Sequence, residues 1–190
     1  SQIRIYDVIS EDYLYVIQVL DDNYGKKIVF SPDRKRIALY SLGYGGSGIE
    51  IYDGDTGEFL YTLLDPTSNI QTLSFSPDGT SIVFSVSDHT IRIVDVETGE
   101  EQFMLNGHVG HKLCADYSHD GQFITSYSTV NGELWIWDAQ TGEQLHIINT
   151  NHRESIWVWD FYNVGCGVFS PDGRTLAFSV GGTIRIWGIP

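Results

Sequence analysis

The sequence predicts an all-β fold built from repeated four-stranded antiparallel units, and three observations carry that expectation. A short strand with an Ile at its centre recurs at positions 5, 51, 93, 136 and 186, with spacings of 46, 42, 43 and 50. A turn motif keeps step with it: SPDR at 31–34, SPDG at 76–79, SHDG at 118–121 and SPDG at 170–173. The composition agrees, because 11 Tyr, 9 Phe, 5 Trp and 20 Gly against a single Met favour strands and tight turns over helices. A period of about 40–45 residues is the range of four-stranded propeller blades.

Each element follows from its residues. An apolar run (IVF 28–30, LSF 73–75, ADY 115–117, GVF 167–169) stops at the Ser-Pro-Asp-Gly-like turn. There Pro presets φ, Asp or Ser bonds the following backbone, and Gly takes positive φ. A second strand follows (RIALYS 36–41, SIVFSVS 81–87, QFITSYS 122–128, TLAFSV 175–180), then the strand centred on Ile. A Thr-Gly-Glu turn leads to the fourth: EFLYTLL 58–64, EEQFMLN 100–106 and EQLHIIN 143–149. Short strands joined by turn residues form antiparallel meanders. No segment holds a helical apolar period over three turns.

Counting strands, IRIYD (3–7) is a third strand and YLYVIQVL (13–20) a fourth. Three complete units and a last unit of three strands follow. The expected architecture is a β-propeller of four-stranded antiparallel blades, about four in this chain. It forms one array over 1–190, with a partial blade at 1–20 and repeats at about 21–64, 65–105, 106–149 and 150–190. Closure stays open. Residues 13–20 could supply the outermost strand that the last blade lacks, which would leave IRIYD surplus. That surplus points to upstream blades, to pairing with another copy, or to a simple tail.

Charge and cysteine content exclude several classes. With 11 Lys and Arg against 25 Asp and Glu, the formal net charge is -14, a surface that repels phosphate backbones. The dense basic stretch, Lys26, Lys27, Arg34, Lys35 and Arg36, flanks a turn and reads as a solvated face, so no nucleic-acid partner is expected. No apolar run approaches membrane-spanning length. The compartment is not specified, with the cytoplasm as default. Cys114 and Cys166 are too few for a disulfide framework and lack metal spacing. Each lies four residues before its turn Ser, at equivalent positions on innermost strands that Lys27 and Thr72 share. Buried inert thiols are the expectation.

Period, turn and dipeptide together resemble the WD-repeat β-propeller family. Trp137-Asp138 ends one third strand. Tyr6-Asp7, Tyr52-Asp53, Val94-Asp95 and Trp187-Gly188 are its variants, and Asn106-Gly107-His108 resembles the Gly-His that opens a family repeat. The resemblance implies a polar brace in each blade: His, Ser or Thr, Asp, Trp. One repeat approaches it with His108, Ser126 or Ser128, Asn131 in place of the Asp, and Trp137. Asp88 is kept in a repeat that has Val94 at the Trp position. Trp187 is kept in a repeat with Gly181-Gly182 where the Asp belongs. Most blades are therefore expected to rest on apolar packing. Trp159-Asp160 is a decoy in the stretched last repeat.

Candidate chemistry is sparse. Asp53-Gly-Asp55-Thr-Gly57-Glu58 has calcium-loop character, but the same turn recurs as Asp95-Val-Glu97-Thr-Gly99-Glu100 and Asp138-Ala-Gln140-Thr-Gly142-Glu143, so it is a hairpin turn first. His108 and His111 are three apart without further zinc ligands. No Gly-x-Ser-x-Gly elbow and no phosphate-cradling loop with a following Lys is present. No catalytic residue, metal or cofactor is expected. The segment 151–165 holds Arg153, Trp157, Trp159 and Tyr162, an aromatic–Arg set of the kind interface hot spots use. Its alternation, with Ile156 and Val158 on one face and Trp157, Trp159 and Phe161 on the other, equally reads as a buried strand. The expected role, implied by the resemblance alone, is a non-catalytic scaffold for a protein or peptide. The alternatives are the C-terminal sensor part of a larger signalling protein, and a propeller enzyme with acid/base residues at its channel mouth.

Overall fold

The computed structural model describes residues 2–19, 26–41, 48–64, 70–108, 113–128, 130–150, 167–180 and 183–188. Seventeen strands run through them: β1 (Gln2–Tyr6), β2 (Tyr13–Gln18), β3 (Lys26–Phe30), β4 (Arg36–Ser41), β5 (Ile49–Asp53), β6 (Phe59–Leu64), β7 (Ile70–Phe75), β8 (Ser81–Val86), β9 (Ile91–Asp95), β10 (Glu101–Leu105), β11 (Leu113–Tyr117), β12 (Phe123–Ser128), β13 (Glu133–Asp138), β14 (Gln144–Asn149), β15 (Val168–Phe169), β16 (Thr175–Val180) and β17 (Thr183–Gly188). No helix occurs among the described residues, and the strands fall where the repeat places them.

Three sheets are complete four-stranded meanders, β3–β6, β7–β10 and β11–β14, each paired in chain order. β15–β16–β17 is a three-stranded sheet and β1–β2 a two-stranded one. Residues 13–20 were candidates to finish the last blade. Instead β2 pairs with β1, Gln18 opposite Gln2 and Tyr13 opposite Tyr6, because the short turn between them makes the local hairpin the nearest partner. Among the described residues no strand lies beyond β17.

The turns close by one repeated mechanism. In each Ser-x-Asp turn the Ser hydroxyl donates to the Asp and accepts from the first amide of the next strand. Ser31 Oγ lies 2.7 Å from Asp33 and 3.0 Å from Arg36 N, and Ser76 Oγ 2.6 Å from Asp78 and 2.9 Å from Ser81 N. Ser118 and Ser170 repeat the arrangement. The turns after the third strands are capped by Asp53, Asp95 and Asp138, each Oδ1 accepting two backbone N–H groups two and three residues on. These are Asx turns, the reason Asp recurs there.

The chain packs as two compact units, 1–70 and 71–190. In the first, Ile17, Val19, Ile37, Leu39 and Tyr52 form a core with Ile3, Tyr15 and Ile28 against it, so the β1–β2 hairpin lies on the face of the β3–β6 blade. In the second, the β11–β14 blade buries both faces. Ile124, Trp135 and Trp137 pack with Val83, Ile91, Ile93 and Leu105 of the β7–β10 blade, while Cys114, Tyr127 and Leu134 pack with Leu176 and Phe178 of the C-terminal sheet.

Candidate functional site

The polar brace of the β11–β14 blade begins at His108, just before β11. Ser126, at the centre of β12, is the hub. The Trp137 indole N–H donates to Ser126 Oγ at 2.7 Å, and His108 Nε2 lies 2.6 Å from the same oxygen. With one side of Oγ taken by the indole, the Ser126 hydroxyl donates to Nε2, and the neutral imidazole carries its proton on Nδ1. All three residues are buried. Burial pushes the His108 pKa down to about 4. The ring stacks on Trp135, centroids 4.5 Å apart, and meets Trp137 edge-on at 6.4 Å. Gly107 precedes it because a Cβ there would lie 2.5 Å from the Trp135 ring.

The brace stops one member short. Asn131, expected in the Asp position, does not reach His108. Its side-chain amide donates to Glu133 Oε2 at 2.6 Å, and the Trp135 indole donates to the same oxygen at 3.1 Å. His108 Nδ1 is left buried without a partner. Glu133 lies two residues from Asn131 and two from Trp135, so it captures both from its own strand end. Ser128, the alternative to Ser126, is buried, and its carbonyl accepts from Gly132 N at 2.9 Å.

The other brace candidates have local roles. Asp88 accepts from the Thr90 hydroxyl at 2.6 Å and pairs with Arg92 at 2.9 Å. Burial works against its ionisation, but Thr90 and Arg92 outweigh it and hold its carboxyl below the usual range. Val94 is fully buried in the Trp position. Trp187 is 37% exposed and makes no hydrogen bond among the described residues.

The sequence reading missed a polar seam between neighbouring blades. Thr72 Oγ1, on β7, accepts the backbone N–H of Ala115 on β11 at 3.0 Å and lies 2.8 Å from Ser85 Oγ. Asp116, also on β11, bonds Ser74. Burial nevertheless holds its pKa above the ordinary value. Thr125, opposite Asp116 on β12, is fully buried with its hydroxyl unpartnered. The equivalence of Thr72 and Cys114 was the signal available; that one would bond across blades was not.

Cys114 corrects an expectation. It is fully buried but disulfide-bonded, not an inert thiol. Cys166, His111 and all four candidate partner-binding residues, Arg153, Trp157, Trp159 and Tyr162, lie outside the described residues. Among the described residues no three His, Cys, Asp or Glu side chains converge as a metal site. The carboxylates of the repeated turns are held below the usual range, Asp53 by Thr56, Asp95 by Thr98 and Asp138 by Thr141. They act there as turn caps.

Comparison with known proteins meets this geometry. The WD domain, G-beta repeat model matches residues 99–138 and 142–188, and the Anaphase-promoting complex subunit 4 WD40 domain model matches 57–114. The chain belongs to the WD-repeat family. WD repeat-containing protein 82 of Drosophila melanogaster is 32% identical over 122 residues, 60% of this WD-repeat chain and 38% of the relative. WD repeat and SOCS box-containing protein 1 of Xenopus tropicalis is 32% identical over 53% of the chain and 24% of the relative. Human apoptotic protease-activating factor 1 is 27% identical over 82% of the chain and 12% of its own length. The chain thus spans well under half the length of these relatives.

Proposed function

We propose that the chain is a non-catalytic interaction scaffold that holds a protein or peptide partner. The supporting observation is how its titratable side chains are used. The aspartates of the turns are committed to capping backbone N–H groups, and His108 is sealed inside a blade on Ser126 and two indoles. Acid/base work needs carboxylates or histidines with shifted pKa values presented to a substrate. Asp116 carries a raised pKa, but it sits on an innermost strand against Ser74, in the seam between blades. WD-repeat domains generally mediate contacts between proteins, and the aromatic–Arg set of 151–165 is the proposed contact.

The test is capture of partners from an extract by the chain and by Trp157→Ala/Trp159→Ala, with folding checked by circular dichroism. Loss of the captured set in a folded variant supports the assignment; undiminished capture removes this segment from the site. A second reading, a regulatory part of a larger signalling protein, is favoured by the match that covers 82% of this chain but 12% of apoptotic protease-activating factor 1.

A further inference from the structure

The hairpins that join third and fourth strands are equivalent, and comparing them exposes a gap. In three of them the residue after the capping Asp is seated against the preceding Ser-x-Asp turn. Gly54 N donates to Lys35 O at 2.8 Å, Val96 N to Thr80 O at 2.9 Å and Ala139 N to Gln122 O at 2.9 Å. Val96 is 1% exposed, and a Cβ on Gly54 would fall 1.8 Å from Arg34 O. The β1–β2 hairpin has the same turn: Asp7 Oδ1 accepts from Ile9 N at 2.9 Å and Ser10 N at 2.7 Å. Glu11 adopts φ 60 where the others have Gly57, Gly99 and Gly142. Yet Val8, the counterpart of Val96, is 92% exposed.

Two further exposures point to the same vacancy. Phe30, before the turn Ser of its blade, is 43% exposed, whereas its counterpart Phe75 is 6%. One edge of β1 pairs with β2, and the other has no strand among the described residues. The hairpin is nonetheless seated as part of a blade, because the Tyr15 hydroxyl bonds the Gly54 carbonyl and its ring lies under Gly57. It is the outer half of a blade whose inner half, a strand, a Ser-x-Asp turn and a second strand, is missing.

The chain holds one inner half that is poorly completed. β15–β16 carries the turn Ser170–Arg174, but its third strand, β17, is exposed along its whole length, Ile184 at 77% and Ile186 at 72%. β1 and β17 share a sequence: Ile3-Arg4-Ile5-Tyr6 against Ile184-Arg185-Ile186-Trp187. Charge favours the match. Residues 2–19 carry Asp7, Glu11 and Asp12 against Arg4, and residues 167–188 carry Arg174 and Arg185 against Asp172. We propose that this surface binds a second copy of the chain, the β1–β2 hairpin of one molecule taking the place of β17 on the other's C-terminal sheet. The new blade is β15 and β16 from one copy with β1 and β2 from its neighbour.

The register follows from the one β17 holds. Tyr6 takes the position of Trp187 opposite Leu176, Ile5 that of Ile186 opposite Ala177, and Arg4 that of Arg185 opposite Phe178. Val8 then reaches the Arg174 carbonyl, the counterpart of Thr80 O for Val96. Two strands replace one, so apolar area is buried that β17 alone leaves in water. The contact is head-to-tail, which builds rings or open chains of copies.

Sedimentation velocity of the full chain over about two decades of concentration tests this. The expected result is a mass that rises through dimer and beyond, with association weaker at high salt. Val8→Asp, at a site exposed in the free chain, should keep its circular dichroism and weaken association about tenfold or more. Deleting 183–190 removes the competing strand and should strengthen association. Ile5→Cys in one preparation mixed with Ala177→Cys in another should cross-link under mild oxidation, with neither variant doing so alone. A monomer at every concentration, Val8→Asp without effect, or weaker association on deleting 183–190 overturns the proposal.

Discussion

At the scale of single residues the brace around Ser126 makes sharp predictions. Ser126→Ala strips the partner from two buried ring nitrogens, His108 Nε2 and Trp137 Nε1, and should cost about 2–4 kcal/mol in urea unfolding. Asn131→Asp separates sequence analogy from geometry. By analogy it restores the missing acid; in the structure it deletes the donor to Glu133 Oε2 and sets two carboxylates side by side. It should lower the melting temperature at pH 7, and a clear rise would mean that His108 Nδ1 recruits the new carboxylate. His108 also gives a pH signature. Its pKa falls from 6.5 unfolded to about 4 folded, so the unfolded chain binds the extra proton between those values. Stability is then full above pH 6.5 and falls by about 3 kcal/mol as the pH drops to 4. The turn aspartates, held low in the fold, contribute stability above their ordinary value of 3.8 and lose it at lower pH, outside this window. A His108→Gln chain that keeps the full slope between pH 6.5 and 4 would sink the assignment.

Among elements, the repeat made strands and turns legible while leaving side-chain partners hidden. Period and turn chemistry are local, so the Ser-x-Asp turns and the Asx turns after third strands could be placed from a few adjacent residues. Thr72 with Ala115, Asp116 with Ser74 and Asn131 with Glu133 depend on how neighbouring strands and blades dock. No spacing within one repeat encodes that. The candidate contact residues in 151–165 rest on composition alone, because no repeat partner tells a buried strand from a loop there. Where the repeat breaks its own rule, an engineering prediction follows. Gly79, Gly121 and Gly173 end three of the Ser-x-Asp turns with φ of 73, 72 and 69, but Arg34 ends the fourth at φ 63. A non-Gly residue there costs about 1–2 kcal/mol, part of which glycine's extra unfolded freedom offsets. Arg34→Gly should therefore raise stability by about 0.5–1 kcal/mol. A loss of that size in thermal or urea unfolding would show that the Arg34 side chain contributes more than its backbone costs.

For the whole molecule the governing quantity is charge. A net charge of -14 on 190 residues makes the fold repel itself at neutral pH. The acids concentrate in exposed turns, where backbone N–H groups stabilise Asp7, Asp53, Asp95 and Asp138 but add no positive charge. Arg92, paired with Asp88 and 3.7 Å from Glu101, offsets little of that excess. Screening should therefore stabilise the chain. Raising salt from low ionic strength to about 0.5 M at pH 7 shortens the screening length to a few ångströms, and the melting temperature should rise by about 2–4 °C per kcal/mol of relieved repulsion. Acidification toward the sequence pI of about 4.5 relieves the same repulsion, yet it protonates His108 on unfolding. The two effects oppose each other between pH 6.5 and 4. The chain should consequently gain from salt at pH 7 and gain less at pH 5, where much of the repulsion has gone and the His108 penalty, insensitive to screening inside the blade, remains. Calorimetry at both pH values and two salt concentrations reads this directly. A melting temperature that falls with salt at pH 7 would mean that ion pairs, not repulsion, dominate the electrostatics of this fold.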